Sequence, residues 1–353
     1  MNITFRWLFV LSFCMTLKPI QSQEDPSMNL RILVTGGAGY IGSHVCYYLK
    51  EQGFEPVTFD NFSTGHREAV RFGSLVEGDL LNPEHINQAI QKYNPIAVMH
   101  LASFIQVGES VKDPLKYYQN NNVGMINLLN AMKNHHVPYM IFSSSAAVYG
   151  NPTYTPLDED HPCYPINPYG QTKWMIEQML KDCDKAYGLK SVSLRYFNAA
   201  GAAPEQNLGE AHEPESHLIP LMIKAAQKGD AGKPLKIFGR DYSTRDGTCL
   251  RDYIHILDLA DAHLKALSYL RGGGETLSVN LGSGHGTTNF EMIQKIKELF
   301  GVDVPFEYAD RREGDPAVLV STYEKAEKVL GWTPQRPIET VLTDAWKWHQ
   351  TEK

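Results

Sequence analysis

The sequence predicts an α/β protein with a doubly wound parallel sheet, followed by a smaller mixed α/β domain on the C-terminal side. From Asn29 to about residue 200, apolar strand-like runs alternate with helical segments. The runs are continuously apolar, as expected for strands that are buried on both faces of a parallel sheet. After about Gly201 the alternation gives way to loops rich in proline, glycine and charge, interleaved with further helices.

The first domain, 29–200, is predicted to alternate strands and helices in regular order. Six apolar runs predict its strands: LRILVT, EPVTFD, SLVEGD, IAVMH, PYMIFSSS and SVSLRYFN. Amphipathic or helical patterns predict connecting helices over 40–52, 83–93 and 114–134, and a proline opens a fourth helix at Pro168. The second domain, 201–350, is predicted to bind mainly substrate, with helices near 219–228, 257–270 and 289–299 and some segments returning to the first domain.

Composition favours small-molecule partners over nucleic acid. The 353 residues carry a formal net charge of −7, and no run of lysine and arginine forms a basic stripe. The five cysteines are scattered without a Cys-x-x-Cys pair, so neither a zinc site nor a disulfide framework is predicted. We therefore expect no metal and no nucleic-acid partner.

Residues 1–28 resemble a leader. Arg6 precedes an apolar run over 7–17, and Ser22 follows as a candidate cleavage site. The run is too short to span a bilayer, so no membrane anchor is expected. Met28, immediately before the first strand, is a natural alternative start. The two interpretations are an upstream start in a cytoplasmic protein, which we favour, and a true export signal.

A glycine-rich turn joins the first strand to the first helix. Gly37, Gly39 and Gly42 fit the pattern G-x-G-x-x-G, and Gly36 extends it to the G-x-x-G-x-x-G variant. Without side chains, the backbone can approach a pyrophosphate at the helix N-terminus. Asp60 ends the second strand, where a carboxylate would accept hydrogen bonds from an adenosine ribose and repel a 2′-phosphate. The pattern predicts a Rossmann-type domain that binds NAD rather than NADP.

Three further residues suggest proton chemistry beside that site. Tyr169 and Lys173 are four positions apart at the start of a predicted helix, so they share one face. A cation beside a phenol lowers the pKa of the phenol, which would make Tyr169 a general base. Ser145 follows a strand, at the sheet edge where ligands collect, and could hydrogen-bond a reacting hydroxyl.

Asp79, after the third strand, either faces the adenine or only closes a turn.

Taken together, the chain resembles the extended short-chain dehydrogenase/reductase family, and within it the nucleotide-sugar epimerases. The resemblance covers Leu30 to about His349. It is carried by the stretches VTGGAGYIGSH, FDNFSTG, EGDL, VGESV, YYQNNNVG, FSSSAAVYG, PYGQTK, LRYFNAAGA, HLIP, GTCLRDYIHILDLADAH, NLGSG and RREGDPA.

The resemblance implies a reaction in which UDP-galactose and UDP-glucose are interconverted through a 4-keto sugar by tightly bound NAD. It makes Tyr169 the base for the 4-hydroxyl, Ser145 its hydrogen-bonding partner and Lys173 the ligand of the nicotinamide ribose. The implied cofactor-binding residues are Gly36, Gly39, Tyr40, Ile41, Gly42, Asp60, Asn61, Asp79, Leu80, Leu101, Ala102, Asn121 and Lys173. The implied UDP-sugar-binding residues are Asn198, His217, Leu218, Arg251, Arg312, Asp315 and Leu319.

Two positions depart from the pattern, and several alternatives stay open. His217 stands where some epimerases have asparagine, and Ile105 where some have lysine.

The alternatives are a sugar-nucleotide 4,6-dehydratase, an epimerase for N-acetylglucosamine or pentose UDP-sugars, and a non-catalytic NAD-sensing protein. The dehydratase is disfavoured because 143–149 contain no carboxylate, and the sensor because Tyr169 and Lys173 are both present. The resemblance also implies a homodimer through helices near 114–134 and 169–187.

We predict that the leader is dispensable. A chain that starts at Met28 should be active and remain in the cytoplasm, where UDP-sugars and NAD are available. Fractionation of cells and N-terminal sequencing of the protein expressed from the full gene would check this. Recovery of a mature chain that begins near Gln23 from a secretory fraction would contradict it.

Overall fold

The structure, a computed structural model, describes residues 30–229, 232–312 and 316–351. The predicted leader, 1–28, lies outside the described residues. None of the helices in these ranges combines the length and apolar character that a bilayer span requires.

Fourteen strands and eleven α-helices are assigned within these ranges. The strands are β1 Arg31–Thr35, β2 Glu55–Asp60, β3 Ser74–Glu77, β4 Ala97–His100, β5 Tyr139–Ser143, β6 Lys190–Tyr196, β7 Asn198–Ala200, β8 Leu235–Phe238, β9 Leu250–Arg251, β10 Tyr253–His255, β11 Leu277–Leu281, β12 Thr287–Thr288, β13 Phe306–Ala309 and β14 Val318–Leu319. The helices are α1 Tyr40–Glu51, α2 Pro83–Tyr93, α3 Val107–Lys112, α4 Pro114–Tyr117, α5 Gly124–Asn134, α6 Pro168–Tyr187, α7 Leu218–Lys228, α8 Ile256–Arg271, α9 Asn289–Phe300, α10 Glu324–Leu330 and α11 Ile338–Thr351.

A seven-stranded sheet forms the centre of the first domain, in the order β11-β6-β5-β4-β1-β2-β3. Every neighbouring pair in it is parallel. The chain crosses over between β3 and β4, so the strand order reverses at β1 and β4, which is where ligands collect in this architecture. The doubly wound parallel sheet predicted from the sequence is confirmed.

Helices cover both faces of this sheet. On one face α1 and α8 pack together, and their apolar side chains share a core with the sheet and with Trp332. On the other face the core is shared with α2, α5 and α6. A separate core lies between α7, α9 and α11 on the substrate side. Each core buries the apolar stripe of its helices, which supplies most of the folding free energy.

The structure differs from the sequence-based prediction in the helix over 114–134 and in the last strand of the sheet. The helix is divided into α4, a π-helical turn over Tyr118–Val123, and α5. The seventh strand, β11, comes from the second half of the chain and pairs with β6. Its sequence LSVNL mixes polar and apolar residues because it lies at the sheet edge and both of its polar side chains contribute to a buried network.

That network is built around a buried ion pair. Glu177 of α6 and Arg195 of β6 are almost inaccessible, and two guanidinium nitrogens donate to the carboxylate at 2.9 and 2.6 Å. The hydroxyls of Ser144 and Ser278 donate to the same carboxylate at 2.6 and 3.0 Å. A third guanidinium nitrogen donates to Tyr149 at 2.9 Å. Helix α6, strands β6 and β11 and the segment that follows β5 are therefore joined at one buried ion pair.

Removal of one partner of this pair should be costly. We predict that Glu177→Leu lowers the free energy of unfolding by about 3–5 kcal/mol, because it leaves a buried guanidinium unpaired. Urea unfolding followed by tryptophan fluorescence measures the change. The double variant Glu177→Leu/Arg195→Met is the matched control and should be more stable than the single variant. A single variant as stable as the wild type would contradict the prediction.

Candidate active site

One continuous cleft of about 2330 Å³ lies along the carboxyl ends of the strands, between the sheet and the second domain. Its volume exceeds the roughly 300–1,000 Å³ of an ordinary small-molecule pocket. The glycine-rich turn and the end of β2 line one part, the start of α6 lines the middle, and β9 and β14 line the far part. The cleft therefore has room for two ligands placed end to end.

The glycine-rich turn is shaped by close backbone contacts. Gly36 has a φ of +75°, and a Cβ on it would lie 2.6 Å from the amide nitrogen of Ala102. A Cβ on Gly42 would lie 2.0 Å from the carbonyl oxygen of Gly36. Gly39, by contrast, is the N-cap of α1, and a Cβ there would meet only the Gly36 oxygen, at 3.4 Å. Gly36 and Gly42 shape the turn, whereas Gly39 leaves space toward the cleft at the helix N-terminus.

Asp60 holds the turn from the end of β2. Its Oδ2 accepts a hydrogen bond from the amide of Ala38 at 2.9 Å, and its Oδ1 accepts one from the amide of Phe62 at 2.8 Å. A carboxylate has about four acceptor positions, so these bonds leave capacity for a ligand hydroxyl. Sequence reasoning predicted only the ligand contact, and the structure adds a role in fixing the turn.

The neighbouring loop ends place the other residues predicted for the adenine end. Asn61 Nδ2 donates to Asp79 Oδ2 at 3.2 Å, and Asp79 Oδ1 accepts from the amide of Leu81 at 2.8 Å. Leu80 lines the cleft beside them, as do Tyr40 and Ile41 at the start of α1. Asp79 thus closes a turn and also faces the cleft, which combines the two interpretations made from the sequence.

Leu101, Ala102 and Asn121 lie near the middle of the cleft. Leu101 and Ala102 line it directly. Asn121, in the π-helical turn, is buried behind its wall, where its Oδ1 accepts from the amide of Phe104 at 2.9 Å and its Nδ2 donates to Thr172 Oγ1 at 3.1 Å. The amide of Asn121 therefore fixes the loop 101–106 against α6.

Ser145 and Tyr169 both line the middle of the cleft, and the hydroxyl of Ser145 lies close enough to the phenol to lower its pKa. The Ser145 oxygen also accepts from the amide of Ala147 at 3.1 Å, which leaves its hydroxyl hydrogen for the phenol. Burial raises the pKa of Tyr169 above 10.0, and the nearby Ser145 hydroxyl partly offsets that rise. The phenol therefore holds its proton at neutral pH in the protein alone.

Lys173 lies one turn further along α6 and is only 2% exposed. Its ammonium donates to the carbonyl of Ser143 at 2.8 Å and lies 5.8 Å from the centre of the Tyr169 ring. Burial lowers the pKa of Lys173 to about 7, so its positive charge is only partial at neutral pH. The resemblance implies that Lys173 and the cationic nicotinamide together lower the pKa of Tyr169, and in the protein without NAD the effect of burial is the largest.

Short strands bring the substrate-side residues together. Asn198 begins β7 and is opposite Tyr253 of β10, whereas Arg251 of β9 is the register partner of Leu319 of β14. Arg251 Nη1 donates to the carbonyl of Pro316 at 2.8 Å. The guanidinium of Arg312 lies 3.9 Å above the ring centre of Phe238. All four predicted residues line the cleft.

The remaining substrate-side predictions lie at the start of α7, with one exception. His217 is the N-cap of that helix, and Leu218 is its first residue. The effect of burial on His217 is overcome by the nearby carboxylates of Glu210 and Glu215, which raise the pKa of His217 to about 10. His217 and Leu218 both line the cleft. Asp315 lies outside the described residues.

Sequence reasoning missed the support behind the middle of the cleft. Glu177 continues the spacing of four that links Tyr169 and Lys173, and this periodicity is a signal that could have found it. Arg195 is a charge near the end of a strand that is buried from Ser191 onward, which is a second signal, because a buried charge requires a partner. Ser144 lies between the two serines that contact Lys173 and Tyr169, and it bonds to Glu177.

The chain belongs to the NAD dependent epimerase/dehydratase family, which it matches over residues 32–282. It is 51% identical to a UDP-glucose 4-epimerase of Rhizobium leguminosarum bv. trifolii over 318 residues, which are 90% of this chain and 97% of the relative. The crystal structure of UDP-glucose 4-epimerase from Brucella ovis in complex with NAD superposes with a TM-score of 0.86, at 47% identity over 90% of this chain and 97% of that one. The structure of UDP-glucose 4-epimerase from Bifidobacterium longum in complex with NAD⁺ and UDP gives a TM-score of 0.85, at 34% identity over 91% and 98%.

The residues of the cleft fit NAD. The turn leaves open space beside Gly39 at a helix N-terminus, where a pyrophosphate is stabilised by backbone amides. Asp60 retains acceptor capacity for a ribose, and the Lys173 ammonium lies in the wall of the same cleft. The predicted cofactor is confirmed.

Two alanine substitutions in the turn should separate folding from cofactor binding. Gly39→Ala should leave the melting temperature unchanged but weaken NAD binding about tenfold or more, a loss of at least about 1.4 kcal/mol, because its methyl group enters the cleft. Gly36→Ala should lower both the melting temperature and the affinity for NAD, since its Cβ collides with the Ala102 backbone. Thermal melts and enzymatic assay of the NAD released on denaturation measure the two effects. Full NAD occupancy in Gly39→Ala would contradict the prediction.

Proposed function

We propose that this chain is a UDP-glucose 4-epimerase that interconverts UDP-galactose and UDP-glucose through a 4-keto sugar. The observation that carries the proposal is that Ser145, Tyr169 and Lys173 lie together in the middle of one cleft, with Lys173 one turn along α6 from Tyr169. One end of that cleft is a dinucleotide turn, and the other carries Arg251 and Arg312. The names of the relatives support the same activity.

Tyr169 removes the proton of the 4-hydroxyl and returns it to the product. Ser145 orients the phenol oxygen, because its remaining hydrogen is directed there. NAD, when bound, supplies a positive charge beside Tyr169 and the chemistry of hydride removal from C4 and hydride return to the opposite face. This step needs a proton acceptor whose pKa is near neutral pH. In the protein without NAD, burial holds the pKa of Tyr169 too high for that role.

The far end of the cleft holds the UDP group while the hexose turns over. Planar guanidinium groups match the geometry of phosphate oxygens, so Arg251 and Arg312 bind the diphosphate. Both are held within the protein: Arg251 by the carbonyl of Pro316, and Arg312 by its stack on Phe238. Leu319, opposite Arg251, borders the hexose with an apolar surface that offers no hydrogen bond and so permits rotation.

A product assay distinguishes this function from the alternatives. Protein purified without added NAD is incubated with UDP-galactose that is deuterated at C4, and the products are separated by anion-exchange chromatography. We expect UDP-glucose with the deuterium retained, since the same hydrogen returns to C4. A product lighter by one water would identify a dehydratase. Unchanged substrate, with NAD still bound, would identify a binding protein and refute the proposal.

Tyr169→Phe should retain its fold and its NAD but lose epimerisation by about 100- to 10,000-fold, the usual contribution of a general base. The ring remains and only the hydroxyl is removed, so NAD occupancy serves as the internal control. Lys173→Ala is the matched variant, and it should lose NAD as well as rate. A loss below about fivefold in Tyr169→Phe would place the base elsewhere.

We also propose that the protein acts in the cytoplasm as a homodimer. Val111 and Leu115 are 63% and 75% exposed on α3 and α4, which pack beside α6. Exposed apolar side chains on two neighbouring helices form a stripe suited to a helical interface. The resemblance implies pairing through the helices near 114–134 and 169–187, of which the first includes Leu115 and the second is α6.

A charge placed in this stripe should separate the protomers. We predict that Leu115→Glu is monomeric in size-exclusion chromatography with light scattering, because the interface would have to bury a carboxylate. Leu299→Glu, at an exposed leucine of α9, is the matched control and should remain dimeric. A dimeric Leu115→Glu variant, or a monomeric wild type, would reject this interface.

A further inference from the structure

Four potential metal ligands converge in the loop that leads into α7. They are Glu210, His212, Glu215 and His217, and one donor atom from each lies within 4.8 Å of all the others. Oε1 of Glu210 lies 3.1 Å from Nδ1 of His212 and 2.7 Å from Nδ1 of His217. Nδ1 of His217 lies 3.3 Å from Oε1 of Glu215. The separations of 3.1 and 3.3 Å are close to the roughly 3.3 Å between neighbouring ligands of a tetrahedral zinc ion, and the contact at 2.7 Å would have to lengthen on binding.

The cluster contains buried atoms that lack partners. The side chains of Glu210 and Glu215 are 7% and 4% exposed. Glu215 Oε2 and His217 Nδ1 are buried without a hydrogen bond, although two carboxylate oxygens lie close to that nitrogen. The short contacts at His217 Nδ1 therefore lack the alignment of hydrogen bonds. Unsatisfied buried polar atoms are costly, and a ligand that fills the space between them removes the cost.

Within the cluster, only the imidazoles of His212 and His217 oppose the charges of Glu210 and Glu215. Two carboxylates face two imidazoles, and in the described ranges neither Glu210 nor Glu215 forms an ion pair with a lysine or an arginine. Two buried carboxylates require compensation. A divalent cation bound to the two imidazoles, in place of the proton that His217 holds at neutral pH, would balance both carboxylates.

We propose that Glu210, His212, Glu215 and His217 bind a divalent transition-metal ion of the zinc class. Two nitrogen and two oxygen donors suit Zn²⁺ and Co²⁺, whereas Mg²⁺ and Ca²⁺ prefer sites made of oxygen alone. The site is separate from the residues assigned to the proton step.

The position of the cluster gives the ion a structural role. The ring of His212 lies 6.3 Å from that of Tyr40 at the start of α1, and His66 Nε2 lies 2.7 Å from the carbonyl oxygen of Ala211. At its other end the loop enters α7 through His217. A bound ion would fix this loop over the glycine-rich turn and join that turn to the substrate-side helix.

Cobalt is the probe for this site, since Co²⁺ bound by nitrogen and oxygen ligands absorbs visible light. Tag-free, full-length protein that retains its NAD is dialysed against chelator and then titrated with Co²⁺. We expect one ion per chain, a rise in melting temperature, and displacement by Zn²⁺. His212→Ala should weaken binding at least about tenfold, and Glu215→Gln should do the same if the first variant folds poorly. His285→Ala, at an exposed histidine outside the cluster, is the control and should bind as the wild type does.

Two results would overturn the proposal. One is the absence of a Co²⁺ signal at millimolar metal in a folded wild type. The other is unchanged affinity in folded His212→Ala and Glu215→Gln variants, which would place the ion elsewhere. Both readouts are independent of epimerase activity.

Discussion

The catalytic geometry depends on one buried ion pair, between Glu177 and Arg195. A carboxylate and a guanidinium without solvent are tolerated only when every hydrogen-bonding position is used. Ser144, Ser278 and Tyr149 occupy those positions, and each comes from a different part of the chain. The pair therefore specifies how α6 meets the sheet, and α6 carries the residues of the proton step.

Ser144 transmits this constraint to the site. Its neighbours are Ser143, whose carbonyl receives the Lys173 ammonium, and Ser145, whose hydroxyl reaches Tyr169. Three consecutive serines thus connect the buried ion pair with Lys173 and Tyr169, the two side chains of α6 proposed for the proton step. Because Tyr169, Lys173 and Glu177 are spaced by four on one helix, a rotation of α6 would displace all three contacts together.

The sequence was sufficient for the parts of the site that are local. The order of strands, the glycine turn before α1 and the Tyr169–Lys173 spacing are each set by a few adjacent residues. It was insufficient where distant segments meet: β11 closes the sheet from beyond residue 201, and Arg251 meets Leu319 only through strand pairing. The pKa of Tyr169 could not be predicted either, because the spacing shows the nearby cation but not the burial that opposes it. Asn121 is predicted to contact the cofactor, yet its side-chain amide is hydrogen-bonded to Phe104 and Thr172.

The seventh strand has a consequence for how the chain is made. Until residues 277–281 leave the ribosome, β6 is the edge of the sheet and exposes unpaired backbone groups. Ser278 and Asn280 are also absent, so the bonds from Ser278 to Glu177 and from Tyr149 to Asn280 cannot form. A nascent chain of about two hundred residues would therefore hold the Glu177–Arg195 ion pair without these two hydrogen bonds, beside an open strand edge, a state prone to association with other chains. The sheet of the first domain is therefore completed only after residues 277–281, in the second half of the chain, have been synthesised.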